Sequence, residues 1–144
     1  MLDDLGLGPA LEWLATEVRT RSDLEILTHI DDIGRLEPGL EIALYRVTQE
    51  GLNNVRKHAE ASSVVITLGR RQGWLRLEVA DDGKGVDPSI NGHAPGRAPS
   101  LGLLGMRERV SPWGGAIRIG PGPKGGTIVS AEVPVGALRL DTAA

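Results

Sequence analysis

The stretch from Pro38 to Ala59 constrains the fold of this chain more than any other. It reads as one long helix, with Pro38 suited to its first turn. At about 100° per residue, Leu40, Leu44, Val47, Thr48, Gly51, Leu52 and Val55 fall on one side. Arg46, Glu50, Asn53, Asn54 and Lys57 fall on the other. A helix with one apolar side has to bury that side against a second layer. The alternating segments Ser63–Leu68 and Trp74–Ala80 supply strands for it, joined by a glycine-containing turn at 70–73. Ala116–Ile119 and Thr127–Val133 read as a closing hairpin across 120–126, and Leu24–Ile30 as a short strand. Residues 9–20 form a further helix, with Leu11, Leu14, Ala15 and Val18 at helical spacing, and Leu103–Val110 a short one. This order is not a strand–helix alternation. It predicts an α+β fold: a two-layer α/β sandwich, its sheet mixed but mostly antiparallel, with helices on one face.

Composition narrows the class. The chain has 144 residues, room for one domain with its own core. It has no Phe and 3% aromatic residues, so the core must be aliphatic. It has no Cys, which excludes disulfides, thiolate metal ligands and a cysteine nucleophile. The net charge of −3 offers no bulk field for nucleic acid, which is not an expected partner. No apolar run approaches the roughly 20 residues needed to span a bilayer.

Three places carry candidate chemistry. Asp81-Asp82-Gly83-Lys84-Gly85 ends a strand on a carboxylate and then turns on two glycines, which presents a fixed acceptor beside backbone that a ligand can approach. An ordinary Asp-Gly turn reads the same way. Glu50 and Asn54, spaced i, i+4, share a stripe with Lys57. A carboxylate, an amide oxygen and an ammonium in one row suit a magnesium–phosphate site, and they also suit a solvated helix face. The adjacent Asn53 and Asn54 are poor helix-interior residues that something must justify. Gly102-Leu103-Leu104-Gly105 opens a helix, where free N–H groups favour phosphate or the glycines serve packing. The residues 86–100 hold Pro88, Gly92, Pro95, Gly96 and Pro99. They read as a long loop of the kind that often forms a lid. Gly125-Gly126-Thr127 lacks the lysine of a P-loop and reads as a hairpin turn, with Thr127 a possible ligand partner beside Asp81. His29, His58 and His93 show no metal-ligand spacing.

In this order the pieces resemble the nucleotide-binding catalytic domain of sensor histidine kinases, within the superfamily shared with gyrase, Hsp90 and MutL. Tyr45 to Ala59 resembles the N box, Asp81 to Gly85 the G1 box, Gly102 to Arg109 the G2 box and Gly125-Gly126-Thr127 the final glycine motif. The wording is most similar to the nitrate-sensor branch of bacterial two-component kinases. Leu2 to Leu11 is similar to the segment leaving that branch's dimerisation helices.

The resemblance implies a Bergerat-type ATP-binding fold with ATP and Mg²⁺ as cofactors. It divides the chain into a linker and first helix over 1–23, a catalytic domain over 24–135 and a tail over 136–144. By position it implies that Asp81 accepts from the adenine amino group with support from Thr127, and that Gly83 and Gly85 shape the adenine pocket. Asn54 would coordinate Mg²⁺, Glu50 would be the general base and Lys57 would approach the phosphates. Gly102, Gly105 and Met106 would border the phosphates, and His58 matches a recurrent N-box position. Ser100 stands where the G2 box often has another glycine. No segment resembles the phospho-accepting histidine motif. The implied function is therefore transfer of the γ-phosphoryl of ATP to a histidine on a dimerisation domain outside this chain, then to a response regulator. The parent would be a homodimer with this domain in the cytoplasm. An anti-sigma-type Ser/Thr kinase of the same fold, and a degenerate nucleotide-binding interaction module, are the alternatives.

Overall fold

The computed structural model describes residues 2–85, 102–123 and 125–134. The expected lid at 86–100, with His93, and the tail from 136 lie outside the described residues. The elements run α1 (Leu2–Leu5), α2 (Leu7–Arg21), β1 (Glu25–Ile30), α3 (Pro38–Asn54), β2 (Ser63–Arg71), β3 (Trp74–Asp81), α4 (Leu103–Val110), β4 (Ala116–Pro121) and β5 (Thr127–Pro134). The five strands form one sheet in the order β1-β2-β3-β5-β4. β1 and β2 are parallel, and every other pair is antiparallel. The predicted sandwich, mixed and mostly antiparallel with helices on one face, is the observed one.

The parallel pair arises because α3 carries the chain from β1 back to the start of β2. The β2–β3 hairpin closes on Gln72 and Gly73, both at positive φ (50° and 85°), the conformation of a tight hairpin turn. β5 then inserts between β3 and β4, so the closing hairpin gives its second strand to the middle of the sheet.

Alternation decides which side is core. Val64, Ile66 and Leu68 of β2, Leu75, Leu77 and Val79 of β3, Ile117 and Ile119 of β4, and Val129, Ala131 and Val133 of β5 are all buried. Leu7, Leu11, Leu14 and Ala15 of α2, and Leu40, Leu44, Val47 and Leu52 of α3, complete the same core. It is aliphatic throughout, as a chain without Phe requires. Gly51 sits against Val79, where a Cβ would come within 3.3 Å of Cγ2. That close approach seats α3 on β3 two residues before Asp81. Gly39 does the same for the short 3₁₀ turn Ser111–Trp113 after α4. A Cβ there would stand 2.8 Å from Trp113 Cζ2, so the indole lies across the first turn of α3.

Helix α3 matches its predicted apolar side, with one difference on the polar side. Asn54 is buried, with 9% of its surface exposed. The reason lies in the projection itself: Asn54 follows Val47 by about two helical turns and so stands only about 20° from that buried side chain. Val55–Ala59 then wind as a π-helical turn, and the Val55 N–H is shared between the Gly51 and Leu52 carbonyls.

Candidate functional site

Asp81 is the last residue of β3 and faces the helical side of the sheet, in phase with Leu75, Leu77 and Val79. Ala80 pairs with Ile128, so the register carried one step further sets Asp81 beside Thr127. Both are buried, at 9% and 5% exposure. Asp81 Oδ1 accepts from the Gly83 N–H at 2.8 Å, an Asx-type turn that fixes the carboxylate. Burial pushes the Asp81 carboxyl above the usual aspartate range, against the pull of the Gly83 and Thr127 N–H groups; the neighbouring Asp82 charge adds a smaller push upward. The Thr127 hydroxyl is buried and has no hydrogen-bond partner among the described residues. An orphaned hydroxyl beside a fixed carboxylate suits a ligand that offers one donor and takes water or a second contact.

Glycines hold the two turns together at this point. Gly126 has φ +76°, and a Cβ on it would run into the Asp81 carbonyl. Gly85, at φ +83°, would bring a Cβ to 3.3 Å from the Gly126 carbonyl oxygen. The G1 and final glycine motifs are thus packed backbone on backbone, and Thr127 follows directly.

Asp82 does something different from its neighbour. Its Oδ1 accepts from the Ser62 and Ser63 N–H groups at 2.8 and 2.9 Å, and Oδ2 from Ser63 Oγ at 3.1 Å. The Ser63 and Ser62 N–H groups hold its carboxyl below the usual range. Asp82 therefore ties the end of β3 to the start of β2, and leaves Asp81 to face the site. Sequence reasoning passed over this role, and the only available signal was the Asp-Asp doublet itself.

The second half of the site lies between α3 and α4. Glu50, half-buried, sits against the first residue of α4's entry. Gly102 has φ +69°, and a Cβ there would stand 2.5 Å from Glu50 Oε1 and 2.9 Å from its Cδ. A cavity of about 490 Å³ opens beside them, with Leu14, Val18, Leu52 and Met106 on its apolar side and Arg46, Arg56 and Arg109 among its polar residues. Met106 is a core residue that also forms part of this wall. At Gly105 a Cβ would meet nothing within 4 Å, so the protein's own packing does not call for glycine there. The open backbone suits a phosphate instead. This cavity includes Glu50 but neither Asp81 nor Thr127. Asn54 and Lys57 do not line it either, so this cavity does not bring Glu50 together with the other predicted site residues of α3 and β3.

Lys57 is exposed in the π-helical turn that follows Asn54. His58 lies in the same turn, and its side chain is outside the described residues. No group of three or more His, Cys, Asp or Glu able to hold a metal is present among the described residues. An amide oxygen at Asn54 and a carboxylate at Glu50 fit a cation that takes few protein ligands and keeps most of its shell on phosphates and water. That is the habit of Mg²⁺.

A mixed sheet with helices on one face, a fixed carboxylate at the end of a central strand and glycine-built turns around it define an ATP-binding domain. The chain belongs to the histidine kinase-, DNA gyrase B- and HSP90-like ATPase family, whose model matches residues 39–137. It is 41% identical over 136 residues to the signal transduction histidine-protein kinase/phosphatase UhpB of Salmonella typhimurium, covering 92% of this chain and 25% of that protein. It is 39% identical over 142 residues to the sensor histidine kinase MctS of Rhizobium johnstonii, covering 96% of this chain and 30% of that protein. The chain thus spans about a quarter to a third of the length of these relatives. Among solved structures, the blue-light activated histidine kinase EL346 of Erythrobacter litoralis superposes with a TM-score of 0.72 at 25% identity, over 90% of this chain and 42% of that one. No helix among the described residues is long and apolar enough to cross a membrane.

Proposed function

We propose that this chain is the ATP-binding catalytic domain of a sensor histidine kinase, acting with Mg²⁺ on a histidine of a dimerisation domain that lies outside these residues. The observation that carries the reading is the pair Asp81 and Thr127: a buried carboxylate fixed by backbone N–H groups, beside a buried hydroxyl without a partner. The exocyclic amino group of adenine is a donor that such a carboxylate can read, and Thr127 Oγ1 supports it directly or through water. Gly83 and Gly85 shape the turn around the base, and Gly105 leaves backbone open to the phosphates, with Gly102 packed on Glu50 at the entry to the same helix.

Bound Mg²⁺ would neutralise phosphate charge, with Asn54 as its protein ligand and Glu50 nearby. Lys57, exposed at the end of the same helix, approaches the phosphates. Glu50 orients the acceptor imidazole and takes the proton from its N–H nitrogen as the other ring nitrogen, which holds the free lone pair, bonds to the γ-phosphorus. The bond from that phosphorus to the β,γ-bridging oxygen breaks, and ADP leaves. The protein contributes positioning and charge more than covalent chemistry. Met106 borders this region without an assigned step. The phosphohistidine then supplies a response regulator, and the parent acts as a homodimer with this domain in the cytoplasm.

The test is phosphoryl transfer from labelled ATP to a histidine-bearing dimerisation domain. Transfer to histidine that falls on Glu50→Gln supports the proposal. Label on serine or threonine of a separate protein would move the reading to the Ser/Thr kinase of the same fold.

A further inference from the structure

Glu41, in the first turn of α3, is a buried carboxylate that the nucleotide site does not use. It is 2% exposed, and both its oxygens are engaged. Arg35 donates Nη2 to Oε1 at 3.0 Å and Nε to Oε2 at 3.2 Å, and the Leu36 N–H adds a contact to Oε2 at 3.4 Å. This is a two-pronged guanidinium–carboxylate pair. The same Arg35 Nη2 reaches the Leu2 carbonyl of α1 at 3.5 Å, an oxygen that also accepts from the Gly6 N–H at 3.0 Å. Gly6, between α1 and α2, has φ +88°. A Cβ on it would stand 2.9 Å from Arg35 Cδ and 3.5 Å from Glu41 Oε2. The arginine stem therefore crosses bare backbone at the α1–α2 corner, and only glycine there permits it.

Among the described residues, helix α1 has few other ties. It is four residues long, Leu5 is 58% exposed, and Leu2 is only partly buried against the core. A short element with so few apolar contacts opens locally at low cost unless polar ties hold it.

We propose that Arg35 and Glu41 form a latch that fixes α1 to the start of α3, and that they are positioning residues for phosphoryl transfer. The tie runs from the chain entering the domain to the helix that carries Glu50 and Asn54, so it sets where that entering chain lies relative to the transfer site. The second part rests on the kinase reading above; the first does not.

Amide hydrogen exchange on this chain, calorimetric ADP titration and transfer to the dimerisation domain test it together. Arg35→Met is expected to speed exchange at Gly6 and α1 by about tenfold, the loss of one or two hydrogen bonds. ADP affinity should stay within about twofold, while kcat for transfer changes and KM for ATP holds. Arg35→Met leaves Glu41 buried without its partner, which destabilises the fold, so Arg35→Met/Glu41→Leu is the companion variant. It keeps the packing at α3 apolar and still removes the tie to Leu2. Unchanged exchange at α1 in a folded variant would overturn the latch. Faster exchange with unchanged transfer would overturn the positioning role, and ADP affinity lost in step with transfer would reduce the pair to a prop for the nucleotide site. If wild type fails to transfer at all, the kinase reading fails, and the exchange result still decides the latch.

Discussion

Gly102 lies against Glu50 so closely that a single methyl group at position 102 would stand 2.5 Å from Glu50 Oε1 and 3.0 Å from Cγ. The glycine adopts φ +69° and accepts the first backbone bond of α4 from the Met106 N–H at 3.0 Å. The entry to α4 and the proposed base are therefore one packed unit. Gly102→Ala should push the Glu50 carboxylate aside and also strain the turn. We expect transfer to slow about 100-fold, the effect of roughly 1 Å of misplacement at a reacting group. ADP affinity, which depends on the Asp81 side, should change far less. Calorimetric ADP titration beside single-turnover transfer separates the two, and equal losses in both would contradict the assignment.

Asp81 predicts a pH dependence. Burial raises its pKa above the usual range, and the ionised form is the better acceptor for an adenine amino group. ADP affinity should be complete above the raised value and decline as pH falls through it. For stability the sign is opposite. Folding favours the protonated carboxyl, so this residue's contribution is complete below the ordinary aspartate pKa and is lost as pH rises through the raised one. Asp81→Asn should flatten both trends, as titrations of ADP binding and thermal melts across the acid range would register.

The Thr127 hydroxyl offers a cleaner separation of binding from folding. It is buried without a partner among the described residues, so the unliganded fold gains little from it. Thr127→Val keeps the shape. Unfolding free energy should hold or rise within ~1 kcal/mol. ADP affinity should fall about fivefold, the worth of one neutral hydrogen bond. A variant that melts early yet binds as well as wild type would show that the hydroxyl serves the fold instead.

The adjacent aspartates should part in mutagenesis. Asp82→Ala removes the acceptor for Ser62, Ser63 and the Ser63 hydroxyl, so the melting temperature should drop while ADP still binds within about twofold. Its depressed pKa means that the tie is present at neutral pH and is lost on acidification through that lowered value. Asp81→Ala should do the reverse, sparing the melt and losing the nucleotide.

Much of this arrangement was legible from periodicity. The apolar side of Pro38–Asn54 named the residues that α3 buries, and the alternations in β2, β3 and β5 named their partners. Leu103–Val110 was bounded by its glycine entry and matches α4. What stayed hidden depends on contacts between distant segments. Pattern reading of a hairpin pairs β4 with β5 but does not say which of the two also pairs with β3, because that pairing joins distant segments. Asn54 was set with the polar residues, although it lies about two helical turns after Val47 on nearly the same side and is buried. Nothing local marks Arg35, six residues before Glu41, as the partner of that carboxylate. The G1 motif pointed to Asp81, but only the turn geometry distinguishes it from Asp82.

The most direct measurement is calorimetric titration of the chain with Mg·ADP, repeated on Asp81→Ala. Wild type should show one saturable site, and the variant, still folded, should lose most of that affinity. A wild type that does not bind, or an Asp81→Ala chain that binds equally well, would contradict the placement of the adenine at Asp81 and Thr127.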